Sequence, residues 1–290
     1  YAERPRTSRA GVRFVFAAFS RQRDKDGKQP MPQQITSRDN PKIKYACKLQ
    51  QSAAFREKEG LFFAEGPKLC LELAKGCHNK VIYYTDAALA AWPALAEMEG
   101  EQYLIPLPVA EKLAGVPSPQ GVFGVFALPR AGLDDLAAGG HYLCMEAVQD
   151  PGNVGTLIRS AAAFGFDAVV CSAGCASPFG PKAVRASMGA VGRILVIQAG
   201  DVSAALAQLR RKGVYTVAAA LQRSRPLSQV TGPFPGGVAV VIGNEGQGLT
   251  EAAIDACDVC ARIPMSDKVE SLNAAAAGAV LAWHFRGKVD

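Results

Sequence analysis

No apolar run in this 290-residue sequence is both long enough and free enough of breakers to cross a bilayer, which excludes a chain built on membrane-spanning helices. No secretory signal places its 8 cysteines in an oxidising compartment, so a soluble, cytoplasmic protein with reduced thiols is expected. There is no internal repeat. Net charge is scarce once it is located. Of the formal +6, residues 1–30 hold 8 Lys/Arg against 3 Asp/Glu, residues 31–130 hold 11 against 10, and residues 131–290 hold 13 against 13. The globular part is nearly neutral, so bulk charge does not argue for a polyanionic partner and any basic surface must be local. Arg38, Lys42, Lys44, Lys48, Arg56 and Lys58 form its densest cluster.

The length points to two domains, and 49% hydrophobic with 20% charged residues is an ordinary globular composition. Residues 1–32 begin with Arg4, Arg6, Arg9, Arg13, Arg21 and Arg23 among few acids, and only Val12–Phe19 is apolar. They are expected to be a disordered basic tail, transit-like or upstream sequence, with Met31 opening the globular part. Residues 33–130 alternate short strands with helices. A helix is expected over Lys42–Glu57, strands at Leu61–Ala64, Val81–Tyr84, Glu101–Ile105 and Val122–Leu128, and a helix from Pro67 to Lys75. Ala131–Gly140 reads as a linker. Residues 141–290 alternate more regularly, with strands expected at Tyr142–Val148, Ala168–Cys171, Ile194–Ile197, Val214–Ala220, Val238–Ile242 and Val259–Ile263. This is an α/β pattern with a mostly parallel sheet, whose ligands bind at the carboxyl ends of the strands. Cys257-x-x-Cys260 with Cys171-x-x-x-Cys175 has spacings that zinc uses. Cys171 and Cys260 fall in buried strands, however, where free cysteine behaves as a small hydrophobe, so no metal is expected.

Three stretches carry candidate chemistry. Asp150-Pro151-Gly152-Asn153-Val154-Gly155-Thr156-Leu157-Ile158-Arg159 follows a strand and opens a helix. Asn153 can cap that helix, and Arg159 points away from its apolar face, as a solvated arginine or as a functional one. Gly243-Asn244-Glu245-Gly246-Gln247-Gly248-Leu249 follows an apolar strand and precedes a helix capped by Thr250. Its glycines permit close approach of backbone amides to a ligand, and equally suit a structural turn. They lack the Gly-x-Gly-x-x-Gly spacing of a nicotinamide-dependent oxidoreductase and the Lys-Ser/Thr of a P-loop. Ile263-Pro264-Met265 and Val269-Glu270-Ser271-Leu272-Asn273-Ala274 lead into a helix of small residues, Ala274 to Ala279 with Gly278, suited to tight packing.

In this order the three stretches resemble the signature motifs of the SpoU (TrmH-like) family of RNA 2′-O-ribose methyltransferases in the SPOUT superfamily, over about residues 141–285. The segment Ser177-Pro178 with Pro181-Lys182-Ala183-Val184-Arg185-Ala186-Ser187-Met188-Gly189-Ala190 is also similar to that family's pattern. Ile35-Thr36-Ser37, Asn40-Pro41-Lys42-Ile43-Lys44, Glu65-Gly66 and Gln120-Gly121-Val122 resemble the family's ribosomal-protein-like substrate-binding domain. The resemblance implies a methyltransferase domain with a deep trefoil knot, a homodimer with a shared active site, and S-adenosylmethionine (AdoMet) as cofactor. It assigns the cofactor to Gly243, Asn244, Gly248, Ile263, Met265, Ser271, Leu272 and Asn273. Asn153, Arg159 and Glu245 match catalytic or substrate-orienting positions. Asp267 departs from the pattern, standing where the family commonly has glycine.

The implied reaction is methylation of a ribose 2′-hydroxyl in structured RNA, ribosomal RNA ahead of transfer RNA, with Arg38, Lys42, Lys44 and Lys48 as local RNA contacts. A sulfonium donor needs little activation, so the burden falls on the hydroxyl. Arg159 could act as a base only if the very high pKa of arginine were exceptionally lowered, so stabilising a developing alkoxide or pairing a phosphate suits it better. Glu245 suits proton acceptance, bridging of subunits or orienting of Arg159. The rival reading is a non-catalytic RNA-binding or ribosome-assembly factor on the same fold, against which the retention of Asn153, Arg159, Glu245 and Asn273 speaks.

Overall fold

The computed structural model describes residues 32–287, so the expected tail, residues 1–32, lies outside the described residues except for its last residue. The helix expected over Lys42–Glu57 is two helices. After the short β1 (Gln33–Gln34), α1 (Pro41–Gln51) ends at Ser52 and α2 (Ala53–Glu59) starts there. Ser52 takes an extended conformation, φ −120° and ψ 117°, and its hydroxyl accepts a hydrogen bond from the Phe55 amide at 3.2 Å. Serine offers the backbone an alternative to helix, and here the alternative wins. The first sheet continues with β2 (Leu61–Glu65), α3 (Pro67–Leu73), β3 (Asn79–Tyr84), α4 (Asp86–Ala91), β4 (Glu101–Leu104), α5 (Leu107–Ala114) and β5 (Val122–Ala127). Its order is β1-β4-β3-β5-β2, with β5 antiparallel to β2 and β3. One face packs Phe63, Tyr83 and Phe123 against Ile43 and Leu49 of α1 and Leu113 of α5.

The second sheet is parallel throughout, as its near-continuous apolar strands require when both faces are covered. Its elements are β6 (His141–Met145), α6 (Pro151–Ala163), β7 (Ala168–Cys171), α7 (Pro181–Ala186), β8 (Leu195–Gln198), α8 (Val202–Arg211), β9 (Tyr215–Ala219), β10 (Ser224–Pro226), β11 (Val238–Ile242), α9 (Glu251–Asp255), β12 (Val259–Arg262) and α10 (Ala274–His284). Along β6, Tyr142 and Cys144 face the core beneath α8 and α9, while Leu143 and Met145 face the core beneath α6, α7 and α10. The strand order is β10-β12-β9-β11-β6-β7-β8. From β6 the chain moves outward to β7 and β8, whereas from β11 it moves the other way to β12. Their connections therefore diverge, and the crevice outside the carboxyl ends of β6 and β11 is where an open α/β sheet binds its ligand.

The stretch expected to be a linker, residues 131–140, is tied down. Leu133–Asp135 form a 3-10 turn, and Lys212 Nζ donates to the Leu136 carbonyl at 2.6 Å. The two sheets also share a core, in which the rings of Phe62 and Phe179 lie 5.3 Å apart. At this seam the backbones touch, because a Cβ on Gly76 would fall 1.9 Å from the Gly192 carbonyl oxygen. Arg56 is buried beside it, donating to the Leu49 carbonyl at 2.8 Å and the Gln50 carbonyl at 3.2 Å at the end of α1.

Candidate active site

The crevice is walled first by the turn after β6. Asp150, not Asn153, caps α6: its Oδ1 accepts the Asn153 amide at 2.9 Å. The expectation for Asn153 is corrected because Pro151, with φ preset and no N–H to satisfy, already occupies the first helical position. Asn153 thus sits inside the first turn with its side chain free for other partners.

Those partners join the three motif loops. Asn153 Nδ2 donates to Glu245 Oε1 at 2.9 Å, and Asn153 Oδ1 accepts from Asn273 Nδ2 at 3.1 Å. Asn273 is itself the cap of α10, its Oδ1 accepting the amides of Ala275 at 2.9 Å and Ala276 at 3.3 Å. Glu245 also accepts the amides of Gln149 at 3.1 Å and Asp150 at 3.2 Å. One carboxylate and two amides therefore link the turns after β6, β11 and β12. Desolvation pushes the Glu245 carboxyl up, but the Asn153 amide and the backbone N–H groups around it outweigh that and hold it below the usual carboxylate range. It is an anion at neutral pH, occupied by donors and poorly suited to take up a proton.

Asn244 shapes the glycine loop from within. Its Nδ2 donates to the Ala147 carbonyl at 2.8 Å, and its Oδ1 accepts the Gly246 and Gln247 amides at 2.9 and 3.0 Å. The Asn244 and Gly248 backbones pair across the loop, which leaves no room at Gly243: a Cβ there would lie 2.3 Å from the Gly248 carbonyl carbon. Gly248 has φ +70°, the left-handed region that glycine enters without cost. Glu146 locks the start of α9, its carboxylate accepting the Thr250 amide and hydroxyl at 2.8 Å each.

Across the same edge, the turn after β12 presents apolar side chains to solvent. Met265 is 37% exposed, Leu272 38% and Val269 53%, while Ile263 is half-buried against the core. Ser271 is exposed beside Leu272, and Asp267 lies in an exposed turn of this segment. Sequence reasoning missed Leu221, 62% exposed after β9 at the same edge. Its loop is braced by Arg223, which reaches Glu251 Oε2 at 2.7 Å and Asp255 Oδ1 at 2.9 Å, and by the Ser224 hydroxyl, which donates to the Leu221 carbonyl at 2.7 Å. Exposed aliphatic and thioether side chains beside a pinched glycine loop offer a small ligand apolar walls with backbone polar groups between them.

The remaining candidates lie apart from this cluster. Arg159 is exposed on α6 and makes no hydrogen bond or ion pair to another described residue. Arg38, Lys42 and Lys44 are on or before α1, held by Glu111 at 3.8 Å, Glu101 at 2.7 Å and Asp39 at 3.1 Å. Lys48 instead lies over the Phe55 ring, 4.5 Å from its centroid. Among the described residues no group of three or more His, Cys, Asp or Glu is placed to hold a metal, and burial pushes the Cys257 thiol up to about 12. No helix of the described residues is long and apolar enough to cross a membrane.

Comparison with known proteins places both sheets. The SpoU rRNA methylase family matches residues 140–283, and an MRM3-like substrate-binding domain matches residues 40–124. The chain is 32% identical to the 23S rRNA (guanosine(2553)-2′-O)-methyltransferase RlmP of Bacillus subtilis, over 88% of this chain and 99% of that one. It is 36% identical to the 23S rRNA (guanosine-2′-O-)-methyltransferase RlmB of Xylella fastidiosa, over 56% of this chain and 67% of the relative. Its fold matches that of the AdoMet-bound rRNA methyltransferase from Sinorhizobium meliloti with a TM-score of 0.77 and 28% identity, over 87% of this chain and 96% of that one. With three motif loops meeting at the β6–β11 crevice and relatives that match along most of its length, the chain belongs to the SpoU rRNA methylase family.

Proposed function

We propose that this protein transfers a methyl group from AdoMet to a ribose 2′-hydroxyl of ribosomal RNA. The observation that carries the reading is the side-chain relay Glu245–Asn153–Asn273, which holds together three loops at the switch point of the parallel sheet. The relatives support the substrate class, being named for 2′-O-methylation of 23S rRNA, and the Sinorhizobium meliloti structure contains AdoMet.

AdoMet supplies an electrophilic methyl group when bound. We assign its binding to Gly243, Asn244 and Gly248 of the glycine loop, and to Ile263, Met265, Ser271, Leu272 and Asn273 after β12, with Leu221 as a further wall. Asn153 and Glu245 keep the first two loops in register, so that the nucleotide and the donor meet at a fixed distance. Arg159, with its donors uncommitted, pairs with a phosphate of the substrate or stabilises negative charge developing on the attacking oxygen. Glu245 acts as a clamp rather than as the base.

The same reading includes a homodimer. The outer face of α10 exposes Ala276, Val280 (40%) and Trp283 (56%), and α6, packed against α10, exposes Thr156 and Ala163, a largely apolar surface suited to a second copy. It also includes the trefoil knot of the C-terminal loops, a location in the cytoplasm, and domain boundaries at residues 33–130, 131–140 and 141–290. Arg38, Lys42, Lys44 and Lys48 are the proposed RNA contacts of the N-terminal domain; the exposed ion pairs of the first three are worth about 0–1 kcal/mol each, so phosphate can displace the acids. Incubation with methyl-labelled AdoMet and ribosomal RNA lacking ribose methylation tests the function. Label on a ribose 2′-oxygen supports it, whereas cofactor binding without transfer would assign the chain to a non-catalytic assembly role.

A further inference from the structure

We infer that Lys182 and Arg185 of α7 form a phosphate clamp, gripping the RNA backbone on either side of the target nucleotide across the seam between the two sheets. The inference rests on the RNA-methylating role proposed above. α7 buries Ala183 and Val184, and Lys182 and Arg185 stand on its outer side three residues apart, neighbours on a helix surface. Each is tethered to a different part of the molecule. Lys182 Nζ is 3.3 Å from Asp150 Oδ2, and Arg185 Nη2 is 3.0 Å from Glu65 Oε2. Asp150 caps the helix that carries Asn153, and Glu65 ends β2 of the N-terminal sheet. The two cations therefore bridge the catalytic loop and the substrate-binding module.

α7 also lies in backbone contact with α6. A Cβ on Gly155 would be 2.3 Å from the Ala183 carbonyl oxygen and 2.6 Å from the Ala186 Cβ. Arg159 follows Gly155 one turn later on α6 and is exposed, so this helix pair carries three exposed cations. Donor counting shows that the α7 pair has capacity to spare. Each acid engages one N–H group, out of three on a lysine and five on an arginine. The Lys182 and Arg185 side chains are 68% and 66% exposed, whereas that of Glu65 is only 13% exposed. Glu65 thus keeps Arg185 oriented while its remaining donors face outward, the arrangement a guanidinium uses to bind phosphate through two parallel bonds. The exposed Lys182–Asp150 pair is weak enough to exchange Asp150 for a phosphate, and Asp150 retains its cap on the Asn153 amide.

The test uses the full chain and a ribosomal RNA fragment that it methylates. RNA affinity is measured against salt, with AdoMet affinity and steady-state kinetics in parallel, for the wild type and for K182Q/R185Q. The clamp predicts a log–log salt slope shallower by about 0.7 per cation removed and an RNA KM raised about tenfold for the pair, with AdoMet affinity unchanged. Restoring charge with K182R/R185K recovers the slope. K182Q alone, which leaves Glu65 its arginine, gives half the slope change and serves if the double variant does not fold. An unchanged slope and KM in a folded variant, while the wild type methylates RNA, would overturn the clamp and leave the proposed function standing. A wild type that binds AdoMet but methylates no RNA removes the function and the clamp with it.

Discussion

Replacing Asn153 with Ala cuts the relay at its centre. Two hydrogen bonds disappear, the 2.9 Å bond to Glu245 and the 3.1 Å bond from Asn273, while the Gln149 and Asp150 amides keep their hold on Glu245. A net hydrogen bond contributes about 0.5–1.5 kcal/mol, and more when one partner is charged and buried. Glu245 and Asn273 are exposed, so water replaces part of what is lost and the low end applies, about 1–2 kcal/mol in all. At about 2–4 °C per kcal/mol for a chain of this class, the melting temperature of N153A falls by roughly 2–8 °C, and the protein stays folded at assay temperature. The effect on rate is larger than the effect on stability, because the loop after β12 is released from the other two. A displacement near 1 Å at a reacting centre costs about 100-fold. N153D is expected to be worse than N153A, since it replaces the donor facing Glu245 with a second carboxylate. Calorimetric melting, AdoMet titration and single-turnover transfer of labelled methyl separate these effects. A folded N153A that transfers methyl within threefold of the wild type would refute the relay as the organiser of the site.

Other perturbations probe the surrounding structure. Glu245 has its folded pKa below the unfolded value of about 4.3, so its contribution to stability is complete above that pH and is lost as pH falls through the folded value. Melting temperature should therefore drop less steeply below about pH 4.5 in E245Q than in the wild type, with parallel curves above pH 5.5; identical acid limbs would contradict the clamp. Gly155→Ala gains about 1 kcal/mol of helix propensity but forces a Cβ into the α7 backbone, an overpacking that costs about 1–3 kcal/mol. G155A should melt at or below the wild type and bind RNA more weakly, and a clear gain in melting temperature would show that α7 yields. Trp283→Glu places a charge on the exposed face of α10; sedimentation should show a monomer with little transfer activity, and an unchanged dimer would move the subunit interface elsewhere.

The parallel sheet was legible because strands covered on both faces, such as Val238–Ile242, are continuous apolar runs with nothing else to explain them. The break at Ser52 was not, since one serine inside a helical pattern becomes a boundary only when its hydroxyl takes the Phe55 amide. The three motifs follow the strands expected to precede them, but the bonding among them was hidden: Asn153, Glu245 and Asn273 lie 92 and 120 residues apart in the pairs they form. The capping role expected of Asn153 fell to Asp150, three positions earlier. Leu221 gave no signal as a single leucine in a polar stretch, and became visible when β9 brought its loop to the ligand edge. Arg38 and Lys42 read as part of a basic patch because their carboxylate partners, Glu111 and Glu101, are distant in sequence.

Mapping the labelled methyl after single-turnover transfer to unmodified ribosomal RNA, in parallel for wild type and R159A, bears most directly on the proposed chemistry. Label on one ribose 2′-oxygen with the wild type, and loss of transfer with intact AdoMet binding in R159A, is the expected result. Label on a base, or transfer by R159A at the wild-type rate, would contradict it.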